Sequence, residues 1–186
     1  MTQNRFSIPL QQIADRVRAK VETVARTATL DLFRSVVDRS PVGNPELWAA
    51  NREAVGQRTD YLQTAITFNA ENPNRRRKGV SRRVVEKKFP LLSGKGYIGG
   101  RFKSNWNFSV GAPDGSTTES TQQARGAAEA QKAATGQIGS VTYLTNGLPY
   151  ARRLEFEAWS TQAPAGMVRV SVVEFDDYLR KAIAST

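Results

Sequence analysis

The acidic side chains Glu174, Asp176 and Asp177 form the one tight cluster with the chemistry for acid catalysis or for holding a hard cation such as Mg²⁺. On a helix, positions 174 and 177 share a face and 176 points elsewhere, so a solvated helix face is the commoner use of such a group. Glu155 and Glu157 project to opposite or nearly opposite sides and have Arg152 and Arg153 beside them as partners. The chain contains no cysteine and no histidine. That removes disulfides, thiolate nucleophiles, Cys- or His-ligated zinc, a Ser-His-Asp triad and any imidazole pH switch. Serines and threonines are plentiful, but none has an activating base. Ser93-Gly94-Lys95-Gly96 resembles a phosphate-cradling loop only in composition, because it lacks the Gly-x4-Gly-Lys-Ser/Thr spacing and a preceding strand. No catalytic set, cofactor site or metal site is expected.

Positive charge is the stronger signal. The 186 residues carry a formal net charge of +10. Arg75, Arg76, Arg77, Lys78, Arg82, Arg83, Lys87 and Lys88, opposed by Glu86 alone, place +7 of it within 14 residues. Such a run suits a polyanion, either nucleic-acid phosphates or an acidic protein face. It also suits a solvated loop that keeps the chain soluble. No aromatic residue interleaves it, and Phe89 stands only at its end. Contact with DNA would therefore go to phosphates, without base stacking or sequence preference.

The elements that must carry these groups can be read from periodicity. Ile13, Val17, Val21, Val24, Ala28, Leu32 and Val36 recur every three or four residues and predict one helix over residues 10–38. Ser7 is placed to cap it, Pro9 suits its first turn, and Ser40-Pro41 ends it. At about 1.5 Å per residue the rod is roughly 40 Å long, more than one small sheet can cover, which points to packing on a neighbouring subunit as well. Residues 42–98 read as an insertion, with a short helix from Pro45 to Val55, an ambiguous segment 60–68, a break at Asn72-Pro73-Asn74, the basic run, and a short helix from Ser81 to Lys88 stopped by Pro90.

Trp106, Phe108 and Val110 alternate with polar residues and predict a strand. Residues 116–139 are poor in large apolar groups, with Ile138 the only large anchor. They predict an alanine-rich exposed helix or excursion outside the core, capped by Thr117 or Thr118. Ser140 to Asn146 reads as a second strand, and residues 150–156 as a short helix after Pro149. The alternation Val168, Val170, Val172 fits a strand, but Val168, Val172, Phe175, Leu179 and Ile183 extend further as a helical face, so helix is predicted for 166–184. No apolar stretch approaches the ~20 residues of a membrane span, and the N-terminal residues lack a signal-peptide core. The expectation is a soluble protein that is not secreted.

Two polar-aromatic segments, Arg101-Phe102-Lys103-Ser104-Asn105-Trp106 and Pro149-Tyr150-Ala151-Arg152-Arg153-Leu154-Glu155, combine the residue types that anchor protein interfaces and those that rim a small core. Trp106 is expected mainly in the core.

Arg39-Ser40-Pro41-Val42-Gly43 is followed in order by Gly96-Tyr97-Ile98-Gly99-Gly100 running into Arg101–Trp106. Then come Tyr143-Leu144-Thr145-Asn146-Gly147-Leu148 running into Pro149–Glu155, and Gln162-Ala163-Pro164-Ala165-Gly166-Met167-Val168. Together, over about residues 10–184, these four segments resemble the neck or tail-completion proteins of long-tailed bacteriophages, of the lambda minor tail protein Z type. Residues 44–95 match least well. The resemblance implies a single α+β domain with a long N-terminal helix, a small antiparallel sheet and a C-terminal helix, into which residues 44–95 insert a large basic loop. It implies a non-enzymatic virion protein, made in the host cytoplasm. Such a protein forms a ring, six-fold by expectation, between head connector and tail terminator. The implied partners are those two proteins and further copies of the chain, with nonspecific contact to packaged DNA and neither membrane nor small-molecule substrate. Arg101, Phe102, Trp106, Tyr150, Arg153, Glu155 and Met167 become the subunit-interface candidates, and the residues of the basic run the polyanion or partner contact.

Overall fold

The computed structural model describes residues 7–74, 81–93, 97–136 and 139–186, with side chains from Leu10 onward. Among them, helices run over Ser7–Asp38 (α1), Arg52–Glu71 (α2), Arg82–Lys88 (α3), Arg101–Ser104 (α4), Gln123–Gln131 (α5), Ala151–Phe156 (α6), Val168–Val173 (α7) and Phe175–Ala184 (α8). Short 3-10 turns occupy Pro45–Leu47, Ala49–Asn51 and Lys132–Thr135. The two strands, Trp106–Val110 (β1) and Thr142–Asn146 (β2), pair antiparallel with Trp106 opposite Asn146 and Val110 opposite Thr142. The fold is thus mixed helix and sheet with a long N-terminal helix. No described helix is long and apolar enough to cross a membrane.

The chain divides into two compact units, one made of Met1–Val42 with Gly100–Thr186 and one of Gly43–Gly99. In the first unit, the C-terminal half of α1 lays Val36 and Val37 against Phe102, Trp106, Ala130, Leu148, Leu154, Ala163 and Met167. Phe33 and Phe108 meet edge to face at 6.2 Å beside this core. Helix α5 reaches it through small residues. A Cβ at Gly126 would fall 2.0 Å from the Lys103 carbonyl oxygen, so only glycine lets α5 pass this close to α4.

Residues 123–135 therefore correct the expectation of an exposed excursion: Ala130 and Ala133 are buried, because alanine fills the narrow gap against α1 that a larger side chain would wedge open. Ile138, the expected anchor, lies outside the described residues. Thr117 and Thr118 are not caps either. They lie in an extended arm, residues 112–122, and α5 begins at Gln123.

Side chains hold that arm across the face of the sheet that carries Asn107 and Thr145. Asn105 accepts a hydrogen bond from the Thr118 backbone N–H (2.7 Å) and donates to the Thr118 carbonyl (3.0 Å), which is the pairing a strand would offer. Asn107 donates to the Ser116 carbonyl (2.6 Å), and Ser104 to the Ser120 carbonyl. Arg125 closes the group on Ser104, Trp106 and Asn107. All three anchoring side chains are buried, so each unmade bond would leave a desolvated polar group. Arg101–Ser104 makes one helical turn just before the strand.

In the Gly43–Gly99 unit, α2 runs through the segment whose periodicity left helix and strand open. The helix expected from Pro45 to Val55 is two 3-10 turns before α2 begins at Arg52. Asn51 is buried, donates to the Pro45 carbonyl (2.8 Å) and accepts from the Leu92 N–H (2.7 Å). Ring pairs Trp48–Tyr97 (5.2 Å) and Tyr61–Phe89 (5.8 Å) complete this smaller core with Ala65 and Val85.

Candidate functional site

Half of the basic run can be placed. Arg75, Arg76, Arg77 and Lys78 lie outside the described residues, while Arg82, Arg83, Lys87 and Lys88 sit on α3, as the sequence predicts for residues 82–88. Val85 anchors this short helix and the four basic residues are exposed. Arg82 pairs with Glu86 one turn on (2.7 Å), and that bond raises the Arg82 pKa from its ordinary value. The Lys88 ammonium lies 4.2 Å from the Tyr61 ring centre, an attraction between cation and aromatic face. A cleft of about 410 Å³ beside α3 is lined by Arg58 and Arg82, but also by Glu46 and Glu86. Arg58 donates to the Phe89 carbonyl (2.8 Å) and lies 3.7 Å from Glu46. With its cations partnered by carboxylates, the cleft is not an anion site. The outward residues of α3 are the basic surface.

The interface candidates divide by depth. Phe102, Trp106, Glu155 and Met167 are buried within their own unit, so they cannot be contact residues for a neighbour while the unit is folded. Their positions explain why. Phe102 meets Trp106 at 5.9 Å and Tyr150 at 6.0 Å, and Tyr150 meets Trp159 at 6.0 Å, so a chain of rings runs from the core to the surface. At its outer end the Arg153 guanidinium covers Trp159 at 4.6 Å. Arg153 and half-buried Tyr150 thus lie toward the surface, as does Arg101, which pairs with Glu119 (2.5 Å).

Glu155 does not pair with Arg152 or Arg153. It accepts the backbone N–H groups of Met167 (2.8 Å), Val168 (3.0 Å) and Arg169 (2.9 Å), the free donors at the start of α7, and Arg169 donates to its carbonyl. Burial pushes this carboxyl upward. The three N–H donors and Arg169 outweigh it and set its pKa below the ordinary value. Gly166, at φ +82°, lets the chain turn against the carboxylate, since a Cβ there would stand 2.6 Å from Glu155 Oε1. Of the other acid pairing expected, Arg153 does reach Glu157 (3.3 Å).

A polar chain that periodicity gave no hint of ties α7 and α8 to α1. Tyr178 donates to Glu174 (2.6 Å), Ser35 lies 2.8 Å from the Tyr178 hydroxyl, and Ser171 lies 2.9 Å from Ser35. Arg39 donates to both Glu174 oxygens (2.8 and 2.7 Å). Tyr178 and Arg39 lower the Glu174 pKa, while burial and the bond to Glu174 raise that of Tyr178. Glu174 is therefore spent on Arg39 and Tyr178, and among the described residues no group of acids is placed to hold a metal ion.

The four sequence segments, spread over more than a hundred residues, interlock in one place. Trp106 Nε1 donates to Ser40 Oγ (2.7 Å), which donates to the Val36 carbonyl (2.9 Å). Gln162 exchanges hydrogen bonds with the backbone of Val42 (2.8 and 3.3 Å). The Phe102 and Tyr150 rings meet at a tilt with centres 6.0 Å apart, and Glu155 holds Met167. Comparison of the chain with protein-family models, curated proteins and solved structures finds no match in any of the three.

Proposed function

We propose that this protein is a virion structural component of a bacteriophage neck. It completes the tail and joins it to the DNA-filled head, as a ring between head connector and tail terminator. One observation carries the reading: the segments that resemble the neck and tail-completion proteins contact one another within the Met1–Val42 and Gly100–Thr186 unit, through Ser40–Trp106, Val42–Gln162, Phe102–Tyr150 and Glu155–Met167. A likeness confined to unconnected loops would carry little. Here it falls on mutually dependent contacts, which is what preservation of a fold requires. The role is mechanical and needs no catalysis. The ring is built by the long helix and the sheet unit, and the basic segment, residues 75–88, docks to a neighbouring ring or to DNA phosphates.

The test is electron microscopy of particles made by a phage with a stop codon in this gene. Filled heads and complete tails lying unjoined, and rescued by added protein, are expected. Joined, intact particles would remove the neck assignment.

A second reading rests on the exposure of Arg82, Arg83, Lys87 and Lys88 along α3: a nonspecific nucleic-acid-binding protein. Its affinity for duplex DNA would fall steeply with salt, and neutralising Arg75 to Lys78 would abolish binding with folding intact. For a loop that faces protein, little DNA binding at physiological salt is expected.

A further inference from the structure

The apolar stripe of α1 does not end where its own unit stops covering it. Leu10, Ala14, Val17, Val21, Val24 and Ala28 are spaced 4, 3, 4, 3 and 4 residues apart, the repeat of a helix face that packs along a second helix. Ala28 is fully buried by its own unit. From Leu10 to Val21 every residue is exposed, with Val17 at 55% and Val21 at 57%. Three valines in this stripe are poor helix formers, and a stretch this short is marginal in water without a covering surface. The seam is flanked on its two sides by Arg18 and Lys20, which have no carboxylate partner among the described residues.

A complementary patch lies elsewhere on the same unit. Val172 and Val173 on α7 are exposed, Val173 at 84%, and Asp176 and Asp177 follow within about one turn. Neither aspartate has a cationic partner among the described residues. Helices α7 and α8 are fastened to α1 at Ser35 and Arg39, through Ser171, Tyr178 and Glu174. From Val17 to Val37 is 20 residues of helix, about 30 Å. The patch and the stripe therefore cannot meet within one chain. They can meet between chains, the stripe of one copy on the patch of the next.

We infer that the first half of α1 docks on the Val172–Asp177 face of a second copy of this chain. The two valines enter the stripe, and Asp176 and Asp177 face Arg18 and Lys20. The contact is heterologous, one surface meeting a different one, and repeats head to tail until it closes. Pairing of two stripes with each other is disfavoured, because an antiparallel pair centred near Val17 sets Arg18 against Arg18 and Lys20 against Lys20. This deepens the ring reading above and rests only on its assembly part, not on its place in a virion.

The absence of cysteine makes the test clean. In the full-length chain, Val17→Cys and Val173→Cys change exposed positions. Under mild oxidation, neither single variant alone should cross-link. An equimolar mixture should give a disulfide-linked dimer, and the double variant a ladder of multimers. Asp176→Lys with Asp177→Lys should suppress the ladder, and adding Arg18→Glu with Lys20→Glu should restore it. Cross-linking of Val17→Cys with itself would overturn the proposal in favour of stripe-to-stripe pairing. No cross-link at the highest soluble concentration would overturn it outright. So would sedimentation of the uncross-linked chain with phosphatidylserine vesicles that is lost in Val17→Asp, which would assign the stripe to a membrane surface. A ladder from a protein whose gene proves dispensable for joining heads to tails would keep the interface and remove the neck role. Unjoined particles without a ladder would do the reverse.

Discussion

From Ala28 to Val37 the apolar face of α1 is closed by α5, the following 3-10 turn, α7 and α8, while from Leu10 to Val21 a face of similar composition lies open. One helix thus contains a buried half and an uncovered half, and nothing in the hydrophobic repeat separates them. The buried half meets alanines and a glycine that admit close approach, and an ion pair from Arg39 to Glu174 ties its end to the α7–α8 junction. The open half meets solvent. The contrast teaches that periodicity specifies which face of a helix is adhesive, and that the length of the partner decides how much of that face is used.

The sharpest way to break this contrast is to place the same charge in each half. Val37→Asp should abolish cooperative unfolding of the unit, since Val37 is fully buried and an aspartate there has no partner. Val17→Asp should leave the melting temperature of the isolated chain within about a degree or two, as for other exposed substitutions. Circular dichroism melts of the two variants decide it, and equal melting temperatures would dissolve the distinction.

A smaller effect tests what closes the buried half. Glu155→Ala should destabilise by about 2 kcal/mol in urea unfolding, because it strips the start of α7 of an acceptor and leaves buried N–H groups without partners. Glu155→Gln should recover part of that loss, since the amide oxygen can still accept.

The same closure carries a pH signature. Glu155 and Glu174 both have pKa values below their ordinary 4.5 in the folded chain. The unfolded chain therefore binds more protons as pH falls toward and below 4.5, and stability is lost through the folded-state pKa values. Urea midpoints should be level above about pH 6 and should decline below about pH 4.5. Glu155→Gln should flatten part of that decline, while charge changes at Arg18 and Lys20 should leave its shape alone.

The smallest effect separates the halves by sign. In the open half Val21→Ala should stabilise the isolated chain by up to about 0.5 kcal/mol, because alanine is the better helix former and no packing is lost. In the closed half Val36→Ala should cost about 1–2 kcal/mol, because it removes buried methyl groups from the core. Destabilisation by both would mean that the first half of α1 is already covered in solution.

Local patterns along the chain were enough to specify the long helix, the Trp106–Val110 strand, its partner near 142–146, the helical C-terminus and the concentration of basic charge. Each rests on local spacing, on a capping or breaking residue, or on a count of charges, none of which needs the rest of the chain. The tertiary structure alone decided what those elements do. Phe102 and Met167 read as anchors for a neighbour and proved to be core, because an aromatic or methionine side chain looks the same in sequence on either side of a surface, while Trp106, named among the interface candidates, is core as its strand alternation led us to expect. The alanine-rich segment read as exposed and packs on α1, because small side chains mark close approach only once there is something to approach. Glu155 read as a partner for Arg153 and instead starts α7. The tie from Ser35 to Tyr178 and the Asn105 pairing with the backbone of residue 118 left no local trace, since they join groups 143 and 13 residues apart. Spacing along a chain is a one-dimensional quantity, while a buried carboxylate, a helix seam and the reach of its partner exist only in three.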